Sequence, residues 1–300
     1  MINLKKTSKL NTTKNETVKG LLFISPWIIG FLAFTLYPIL SSLYYSMTEY
    51  KVISDPVWIG LKNYVTLFKD KVFLTAMGNT LYMILLGIPV VTCVTVIMAI
   101  MLNNKNLKYS SGFRVLFFIP TLVPTVIACL LWVWMMQPSG IINSLLGYIG
   151  IHGPSWLANP VWTKPAFIFM MVWTCGNTLI IYLAGLQDIP ASLYESASID
   201  GESRLKSIFS ITIPLLRPIL LYNIVTSVIS VFQWFAEPYI ITGGGPNNAT
   251  MLYSLYLYKN AFSYFKMGYA SAMAWVLLII SLGIVFVLFK VLKFGKSDMY

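Results

Sequence analysis

Residues 193–218 read LYESASIDGESRLKSIFSITIPLLRP, the longest charged and amphipathic stretch in the interior of an otherwise apolar chain. Long runs without Asp, Glu, Lys or Arg lie on both sides of this stretch. Charged side chains are costly in hydrocarbon, so a stretch of this kind between two apolar segments is expected outside the membrane. The sequence therefore predicts membrane-spanning helices interrupted by one structured polar loop.

The composition is that of an integral membrane protein. Of the 300 residues, 57% are hydrophobic and only 10% are charged, against roughly 45–50% and about 25% in soluble domains. The net charge of +11 is scattered between the apolar runs, whereas nucleic-acid binding needs basic residues gathered on one surface. We therefore predict contact with the lipid bilayer and no nucleic-acid partner.

Six windows free of Asp, Glu, Lys and Arg approach or exceed the length of a spanning helix, which needs about 20 mostly apolar residues. They lie at residues 20–48, 72–104, 115–137, 165–187, 219–236 and 267–289. The predicted fold class is an all-α membrane protein with six transmembrane helices. The uncharged stretch after the third window is rich in Gly, Pro and Asn, which break a lipid-exposed helix. It predicts a short surface helix at about residues 141–148, outside the membrane.

The distribution of Lys and Arg predicts the orientation. These residues are twice as frequent in the segments that a cytoplasmic N-terminus would place inside as in the alternate segments. By the positive-inside rule, the N- and C-termini and the loop at residues 188–218 are expected in the cytoplasm. The chain then divides into a cytoplasmic tail at 1–19, a six-helix membrane domain at 20–292 and a second tail at 293–300.

The loop at residues 188–218 is longer than a simple connection needs, and it follows a helical pattern. Pro190 stands where a helix can begin, and Gly201 interrupts the pattern. Apolar residues then recur at helical spacing, at Leu205, Ile208, Phe209 and Thr212. We predict two helices joined by a glycine hinge and ending at Pro214 and Pro218, in a form suited to dock into a groove on a soluble partner.

Glu195 has two interpretations in this loop. With Ser192 it fits a capping box, in which two side chains satisfy backbone N–H groups at the start of a helix. Alternatively, its carboxylate contacts the docked partner. The first interpretation is purely structural, and the second is functional.

The loop also resembles the signature of a known family. Glu195-Ser196-Ala197, Gly201 and Ile211-Thr212-Ile213-Pro214 match the EAA motif of permease subunits of binding-protein-dependent ABC importers. Ser196 and Ile213 depart from it, since the family has Ala and Leu there. In that family the loop contains a coupling helix that sits in a cleft of the ATP-hydrolysing subunit. The resemblance implies that coupling to an ATPase rests on Glu195, Ser196, Ala197, Asp200, Gly201, Leu205, Phe209, Ile211 and Pro214.

Further motifs resemble the sugar-importer branch of this family, which contains the maltose and glycerol-3-phosphate permeases. They are Ile59-Gly60-Leu61-Lys62-Asn63-Tyr64, Asn79-Thr80, Phe118-Ile119-Pro120, Leu186-Gln187-Asp188-Ile189-Pro190 and Thr242-Gly243-Gly244-Gly245-Pro246. The resemblance covers most of the chain. It implies the transmembrane-domain fold of type I ABC importers, a multi-pass position in a bacterial cytoplasmic membrane, and sugar import with oligosaccharides as the expected substrates.

The resemblance also implies the partners, which are a second homologous permease subunit, two ATPase subunits and an extracytoplasmic sugar-binding protein. The chain has no G-x-x-x-x-G-K-[ST] phosphate loop, so ATP and Mg are expected in the partner subunits and no cofactor in this chain. The glycines at residues 243–245 fit a tight turn, with substrate contact as the alternative. The three cysteines lie in apolar windows and the one histidine in a loop, which argues against a disulfide or metal site. The chain is predicted to be a transport subunit and not an enzyme.

Polar and aromatic residues inside the fourth window, and in and just after the fifth, predict the substrate path. Such side chains within spans usually face a cavity or a partner helix, and sugars bind through aromatic faces together with amide, hydroxyl and carboxylate groups. The predicted substrate-binding residues are Trp173, Thr174, Asn177, Ser227, Ser230, Gln233, Trp234 and Glu237. By resemblance to the maltose permease, all but Gln233 and Glu237, together with Val231, fall on its sugar-pocket positions. Ser227 and Ser230 fit helix–helix packing equally well.

Three rival functions stay open at this point. A permease of the same family could carry another solute delivered by a binding protein, such as glycerol-3-phosphate. A secondary transporter would show intramembrane coupling carboxylates, of which the spans hold almost none, and broken helices in inverted halves. A membrane enzyme would need a catalytic constellation, and no cluster of acids or histidines suggests one.

Overall fold

Apolar helices long enough to cross a bilayer make up most of the chain in a computed structural model, which describes residues 14–104 and 107–291. Among these residues, four single helices have the length and composition of a span: Lys19–Ser46, Lys71–Leu102, Arg204–Phe232 and Met267–Lys290. Two further pairs of helices have the length and composition of a span only when the two helices of each pair are taken together. They are Ser110–Leu122 with Thr125–Met135, and Pro160–Trp173 with Gly176–Gln187. The helical fold class is confirmed. The number of spans is four, or six if each pair crosses once.

The α-helices are numbered in chain order. They are α1 (Lys14–Phe31), α2 (Tyr37–Ser46), α3 (Lys62–Lys69), α4 (Lys71–Tyr82), α5 (Ile88–Leu102), α6 (Ser110–Phe118), α7 (Thr125–Met135), α8 (Ile141–Tyr148), α9 (Pro160–Trp173), α10 (Gly176–Gln187), α11 (Ala191–Ile199), α12 (Arg204–Ser207), α13 (Ile213–Phe232), α14 (Ala236–Thr242), α15 (Tyr253–Tyr258) and α16 (Met267–Val291). Strands β1 (Thr48–Glu49) and β2 (Val57–Trp58) pair antiparallel after α2. A 3-10 turn, Ile119–Leu122, follows α6.

Proline shapes the long helices without ending them. The π-helical turns Leu32–Leu36, Met83–Gly87 and Ile208–Thr212 each precede a proline by two residues, at Pro38, Pro89 and Pro214 respectively. Proline has no N–H to donate and its ring clashes with the carbonyl four residues earlier, so widening the preceding turn lets the helix continue. The fourth π turn, Lys259–Ser263, follows α15.

The predicted end of the polar loop at Pro214 and Pro218 is therefore wrong. α12, the π turn Ile208–Thr212 and α13 form one helix, Arg204–Phe232, with Pro218 inside it. The π turn takes up the proline clash, and the helix that begins in the loop continues through the apolar region.

Two apolar windows that look continuous in sequence are broken. The α6/α7 pair bends by 101° and the α9/α10 pair by 52°. Pro124 is the N-cap of α7, and a residue before proline is disfavoured in helical conformation. In the second pair, Thr174 and Cys175 separate the two helices.

The Gly- and Pro-rich stretch after α7 contains the predicted short helix, since α8 covers Ile141–Tyr148. Asn143 holds this stretch together. Its Nδ2 donates to the carbonyls of Pro138 (3.1 Å) and Pro154 (3.2 Å), and its Oδ1 accepts from the indole of Trp156 at 2.7 Å.

Buried clusters hold the two ends of the bundle. At the end that carries residues 188–218, α5, α10 and α13 meet around Tyr182 and Leu216. At the opposite end, α4, α15 and α16 meet around Phe73 and Tyr253. Asp70 is the N-cap of α4, so this end of the bundle is called the Asp70 end. Asn79 braces the same end by donating to the carbonyls of Asn248 (2.7 Å) and Met251 (3.0 Å).

The first long helix, Lys19–Ser46, packs on the rest of the described chain mainly through its last part, α2, which lies along α16. The most apolar stretch of Lys19–Ser46 has no buried residue. α1 begins at Lys14, inside the predicted tail at residues 1–19. The predicted tail at residues 293–300 and the domain boundary at residue 292 lie outside the described residues.

Candidate functional site

A cavity of about 480 Å³ lies between the two bent helix pairs and α13. Most of its walls come from the 3-10 turn and α7, from α9 and α10 around their bend, and from α13 and α14. Seven of the eight predicted substrate-binding residues line it: Trp173, Thr174, Asn177, Ser227, Ser230, Trp234 and Glu237. Gln233 is exposed and is not among the described residues that line the cavity. The structure thus gathers residues from two separate stretches of sequence into one site.

The bend of the α9/α10 pair supplies one polar wall of the cavity. Thr174 Oγ1 lies 3.3 Å from the carbonyl oxygen of Met170 and 3.2 Å from that of Met171, within donating distance of both. A Cβ at position 176 would lie 2.5 Å from the backbone oxygen of Phe117. Only glycine allows α10 to approach α6 this closely. The break and this close approach place Thr174 and Asn177 on the cavity wall.

Aromatic side chains form the other notable lining. The Trp132 ring meets that of Trp173 edge-on, with 5.5 Å between centroids and 86° between planes. Trp234 makes a similar contact with Phe167, at 5.5 Å and 76°. These contacts hold the two indole rings in place in the cavity lining, which also contains amide and hydroxyl groups.

Glu237 is the only carboxyl among the described residues that line the cavity. It lies in the first turn of α14, beyond the last residue of the helix Arg204–Phe232. Burial raises the pKa of this carboxyl, while hydrogen bonds from its own backbone N–H and from the Trp234 side chain act in the opposite direction. The indole N–H is the only donor of a Trp side chain, so Trp234 both offers a ring face and orients the carboxyl.

Sequence reasoning missed the contribution of the α6/α7 pair. Thr121, Thr125, Cys129 and Trp132 line the cavity, although the third apolar window seemed to offer only a continuous span. The signal was Phe118-Ile119-Pro120, whose proline stands where the 3-10 turn begins. Thr226 of α13 was also missed.

The loop at residues 188–218 forms a helix–turn–helix. Gly201 has φ +77° and follows α11 directly after its C-cap, Asp200. Its N–H donates to Ser198 O at 3.2 Å, while Glu202 N–H donates to Ala197 O at 2.9 Å. This pair of bonds is a Schellman motif, which needs a left-handed residue, most often glycine. The predicted glycine hinge is present as a fixed turn.

Side-chain contacts tie the turn and the first helix of the loop to the helix that follows. Glu202 accepts from Ser210 Oγ at 3.0 Å and pairs with Lys206 at 3.6 Å. Tyr194 Oη and Thr212 Oγ1 lie 2.9 Å apart. The loop therefore presents a preformed surface.

That surface is apolar at its tip. Leu205 is 71% exposed, Phe209 73% and Ile199 86%. Ile199 was not predicted; it is the last residue of α11, where an apolar side chain before a helix-ending glycine was the available signal. Of the other predicted coupling residues, Ala197 is buried and Ile211 half-buried, and the rest are exposed: Glu195, Ser196, Asp200, Gly201 and Pro214.

The capping-box interpretation of Glu195 is wrong. α11 begins at Ala191 with Pro190 as its N-cap, and no side chain caps it. A capping box needs its Ser at the N-cap, whereas Ser192 lies two residues further along. Glu195 is exposed within the helix.

The glycine-rich stretch at residues 243–246 forms the predicted tight turn. Gly243 and Gly244 have φ +60° and +96°, and Gly245 N–H donates to Thr242 O at 3.0 Å. Within residues 14–104 and 107–291, no three His, Cys, Asp or Glu side chains come together in a group that could hold a metal ion.

Residues 91–293 match the family described as binding-protein-dependent transport system inner membrane component. The chain belongs to this family. The resemblance found in the EAA loop is thus confirmed, and the permease is a multi-pass membrane protein.

Similar proteins include named permeases. The probable ABC transporter permease protein YesP of Bacillus subtilis (strain 168) is 40% identical over 94% of this chain and 93% of its own length. The lactose transport system permease protein LacF of Rhizobium radiobacter is 36% identical over 91% of this chain and 93% of its own. A chain in the crystal structure of a bacterial alginate ABC transporter, in complex with alginate pentasaccharide-bound periplasmic protein, is 26% identical. It has a TM-score of 0.79 and covers 92% of this chain and 94% of that one.

Proposed function

We propose that this chain is one permease subunit of an ATP-driven ABC importer for sugars, with oligosaccharides as substrates. It forms half of the translocation path, and a second homologous permease subunit forms the other half. Two ATPase subunits bind ATP and Mg on the cytoplasmic side, and an extracytoplasmic sugar-binding protein delivers the substrate. Both termini and the loop at residues 188–218 then face the cytoplasm.

The cavity carries this proposal. It combines indole rings, at Trp173 and Trp234, with the Asn177 amide, two serine hydroxyls and the Glu237 carboxyl. Sugars present apolar ring faces and many hydroxyl groups, so aromatic stacking together with dispersed hydrogen bonding matches them. A cavity for an apolar solute would not need this set of polar groups, whose desolvation is costly.

The exposed loop supports coupling to an ATPase. Ile199, Leu205 and Phe209 are exposed apolar side chains, and exposed charged residues, Asp200, Arg204 and Lys206, neighbour them in sequence. A preformed amphipathic element of this kind fits a groove on a soluble protein. α13 joins the loop to the cavity through one helix, so movement of a docked ATPase would reach the substrate residues along a single segment.

Relatives support the substrate class. Among them are the lactose permease LacF and an arabinooligosaccharides transport system permease, AraP of Bacillus subtilis (strain 168), at 33% identity over 87% of this chain. The structural neighbour belongs to a transporter of alginate, an acidic polysaccharide. From these relatives we take the class, a sugar, and not its identity.

The test is uptake of labelled oligosaccharides by the complex reconstituted with its ATPase and binding protein. Trp234→Ala should raise the KM or lower the rate, while Trp234→Phe keeps a ring face and much of the activity. Asn177→Ala should also reduce uptake. Gln233→Ala is the matched control, because Gln233 neighbours Trp234 in sequence but lies outside the cavity lining.

Basal ATPase activity controls for folding in each variant. Full uptake by both Trp234→Ala and Asn177→Ala would remove the cavity from the substrate path. Uptake of glycerol-3-phosphate in place of sugar would favour that alternative solute, and uptake without ATP would favour a secondary transporter.

A further inference from the structure

A second pocket, of about 440 Å³, lies at the Asp70 end of the bundle. Its walls come from β1, from α3, and from the segment between α15 and α16. No described residue lines both this pocket and the central cavity. The proposal made above gives it no role.

Hydrogen bonds and backbone contacts make the pocket rigid. Asp70 Oδ2 accepts from Tyr256 Oη at 2.5 Å and Tyr269 Oη at 2.7 Å, and Oδ1 accepts from two backbone N–H groups of α4. Asn63 Nδ2 donates to the carbonyls of Ser46 and Thr48, both at 2.9 Å. Side chains and backbone carbonyls from distant parts of the sequence therefore hold Asp70 and Asn63, two residues of the pocket lining, in place.

The rim of the pocket is basic. Lys51, Lys62, Lys69 and Lys266 all line it. Lys51 pairs with Glu49 at 3.2 Å, but the other three have no ion-pair partner among the described residues. The Asp70 charge is satisfied by its four donors: burial alone would raise the pKa of this carboxyl, but the hydrogen bonds outweigh it and lower the pKa. Three ammonium groups without an ion-pair partner among the described residues thus line a pocket whose two carboxylates, Glu49 and Asp70, already have partners.

α3 gives the pocket its second distinctive property. At 100° per residue, its surface divides into three faces. Asn63 and Leu67 are buried on the bundle, and Lys62, Thr66 and Lys69 line the pocket. The third face is apolar and exposed, with Leu61 63%, Val65 53% and Phe68 64% accessible. Cationic and apolar surfaces therefore run side by side along one short helix.

The position of α3 relative to the spans shows which surroundings these faces meet. α2 ends at Ser46, α4 begins at Lys71 and α16 begins at Met267, and all three helix ends are close to the pocket. The ends of spanning helices mark the level of the lipid headgroups. An exposed apolar face at that level is suited to acyl chains, and a basic pocket beside it is suited to a phosphate.

We propose that this pocket binds one anionic phospholipid of the adjacent leaflet, with its phosphate among Lys62, Lys69 and Lys266 and its acyl chains along Leu61, Val65 and Phe68. A docked acidic protein would match the lysines but would leave the apolar face uncovered at headgroup level. A soluble anion would match the pocket but make no use of that face. The phospholipid uses both surfaces.

The test is lipid retention by the full-length chain, purified with its co-expressed partners from membranes containing phosphatidylglycerol and phosphatidylcholine. Native mass spectrometry counts the retained lipids of each class. Each of Lys62→Ala, Lys69→Ala and Lys266→Ala should lower phosphatidylglycerol retention by about fivefold, as expected for the loss of one charge at the membrane surface. Lys71→Ala is the matched control, since Lys71 lies at the same end but does not line the pocket.

A second arm separates the possible ligands. Phe68→Ser should weaken retention of phosphatidylglycerol although every lysine is kept, and water-soluble glycerol phosphate should fail to displace the lipid at equal concentration. Equal losses in Lys71→Ala, equal retention of phosphatidylcholine, or full displacement by glycerol phosphate would each overturn the proposal. If the lysine variants retained as much phosphatidylglycerol as the wild type but lost stimulation of ATPase activity by the binding protein, the pocket would be assigned to protein docking instead.

Discussion

Replacing Gly176 by alanine should force α10 away from α6 at the edge of the central cavity. The added Cβ would lie 2.5 Å from Phe117 O, 2.9 Å from Thr121 Cγ2 and 3.0 Å from Phe118 Cα. Two of these atoms belong to the backbone and cannot rotate away. Ordinary contact begins at 3.4 Å, so the two segments must separate by about 0.9 Å at this point.

The cost of this separation follows from known overpacking effects. Inserting a methyl group into a tightly packed site costs about 1–3 kcal/mol, whereas alanine gains at most about 1 kcal/mol over glycine in helix propensity. The cost of the clash therefore exceeds the gain in helix propensity, and the Gly176→Ala protein should be less stable than the wild type. Uptake should fall as well, because Thr174 and Asn177 stand on the displaced wall.

The assay is the thermal midpoint of the purified complex, followed by tryptophan fluorescence, together with labelled-sugar uptake. Gly78→Ala is the matched control, since Gly78 lies inside α4 and a Cβ there would meet no atom within 4 Å. It should be neutral or slightly stabilising. If Gly176→Ala kept both the wild-type midpoint and wild-type uptake, the close approach of α10 to the α6/α7 pair would be refuted.

Three further predictions concern the loop and the Asp70 end. Gly201→Pro should abolish co-purification of the ATPase, because proline cannot adopt φ +77°, while Gly201→Asn should retain it, since asparagine tolerates a left-handed conformation; equal binding by both would sink the coupling role of the turn. Asn79→Ala should destabilise the protein by about 1–3 kcal/mol in chemical unfolding, because the buried carbonyl of Met251 and the part-buried carbonyl of Asn248 lose their donor; an unchanged midpoint would contradict this. The lowered pKa of Asp70 contributes stability that is present above the unfolded-state pKa of about 3.9 and is lost as pH falls through the folded value. Asp70→Asn should keep the helix cap yet show a smaller drop in thermal midpoint on acidification below about pH 4, and equal drops in both proteins would refute this account.

The sequence predicted the apolar segments because hydrocarbon tolerates so few charges, and the bounds of α8 agree with the short helix predicted at about residues 141–148. The bends of the α6/α7 and α9/α10 pairs could not be predicted, since an uncharged window has the same composition whether straight or broken. Pro214 and Pro218 were misjudged for a related reason: a π turn that accommodates a proline leaves no mark in composition.

The residues of the candidate site also divide into those that the sequence predicted in the cavity lining and those that it did not place correctly. Trp173, Asn177 and Trp234 were found because polar and aromatic groups in an apolar window need a cavity or partner. Gln233 met the same criterion, yet the helix ends at Phe232 and turns it outward into an exposed position. Some residues of the sugar-importer motifs have a structural role instead. Asn63 and Asn79 donate hydrogen bonds to backbone carbonyls at the Asp70 end.

The single helix Arg204–Phe232 has the geometry of a lever between the loop and the cavity. Phe209 stands near one end and Ser227 near the other, about 27 Å apart at 1.5 Å per residue. A tilt of one degree about the Phe209 end would carry Ser227 sideways by about 0.5 Å, so a rotation of a few degrees shifts that serine by more than 1 Å. If the helix turned as one body, a small rotation at the loop would therefore produce a larger displacement at the cavity wall.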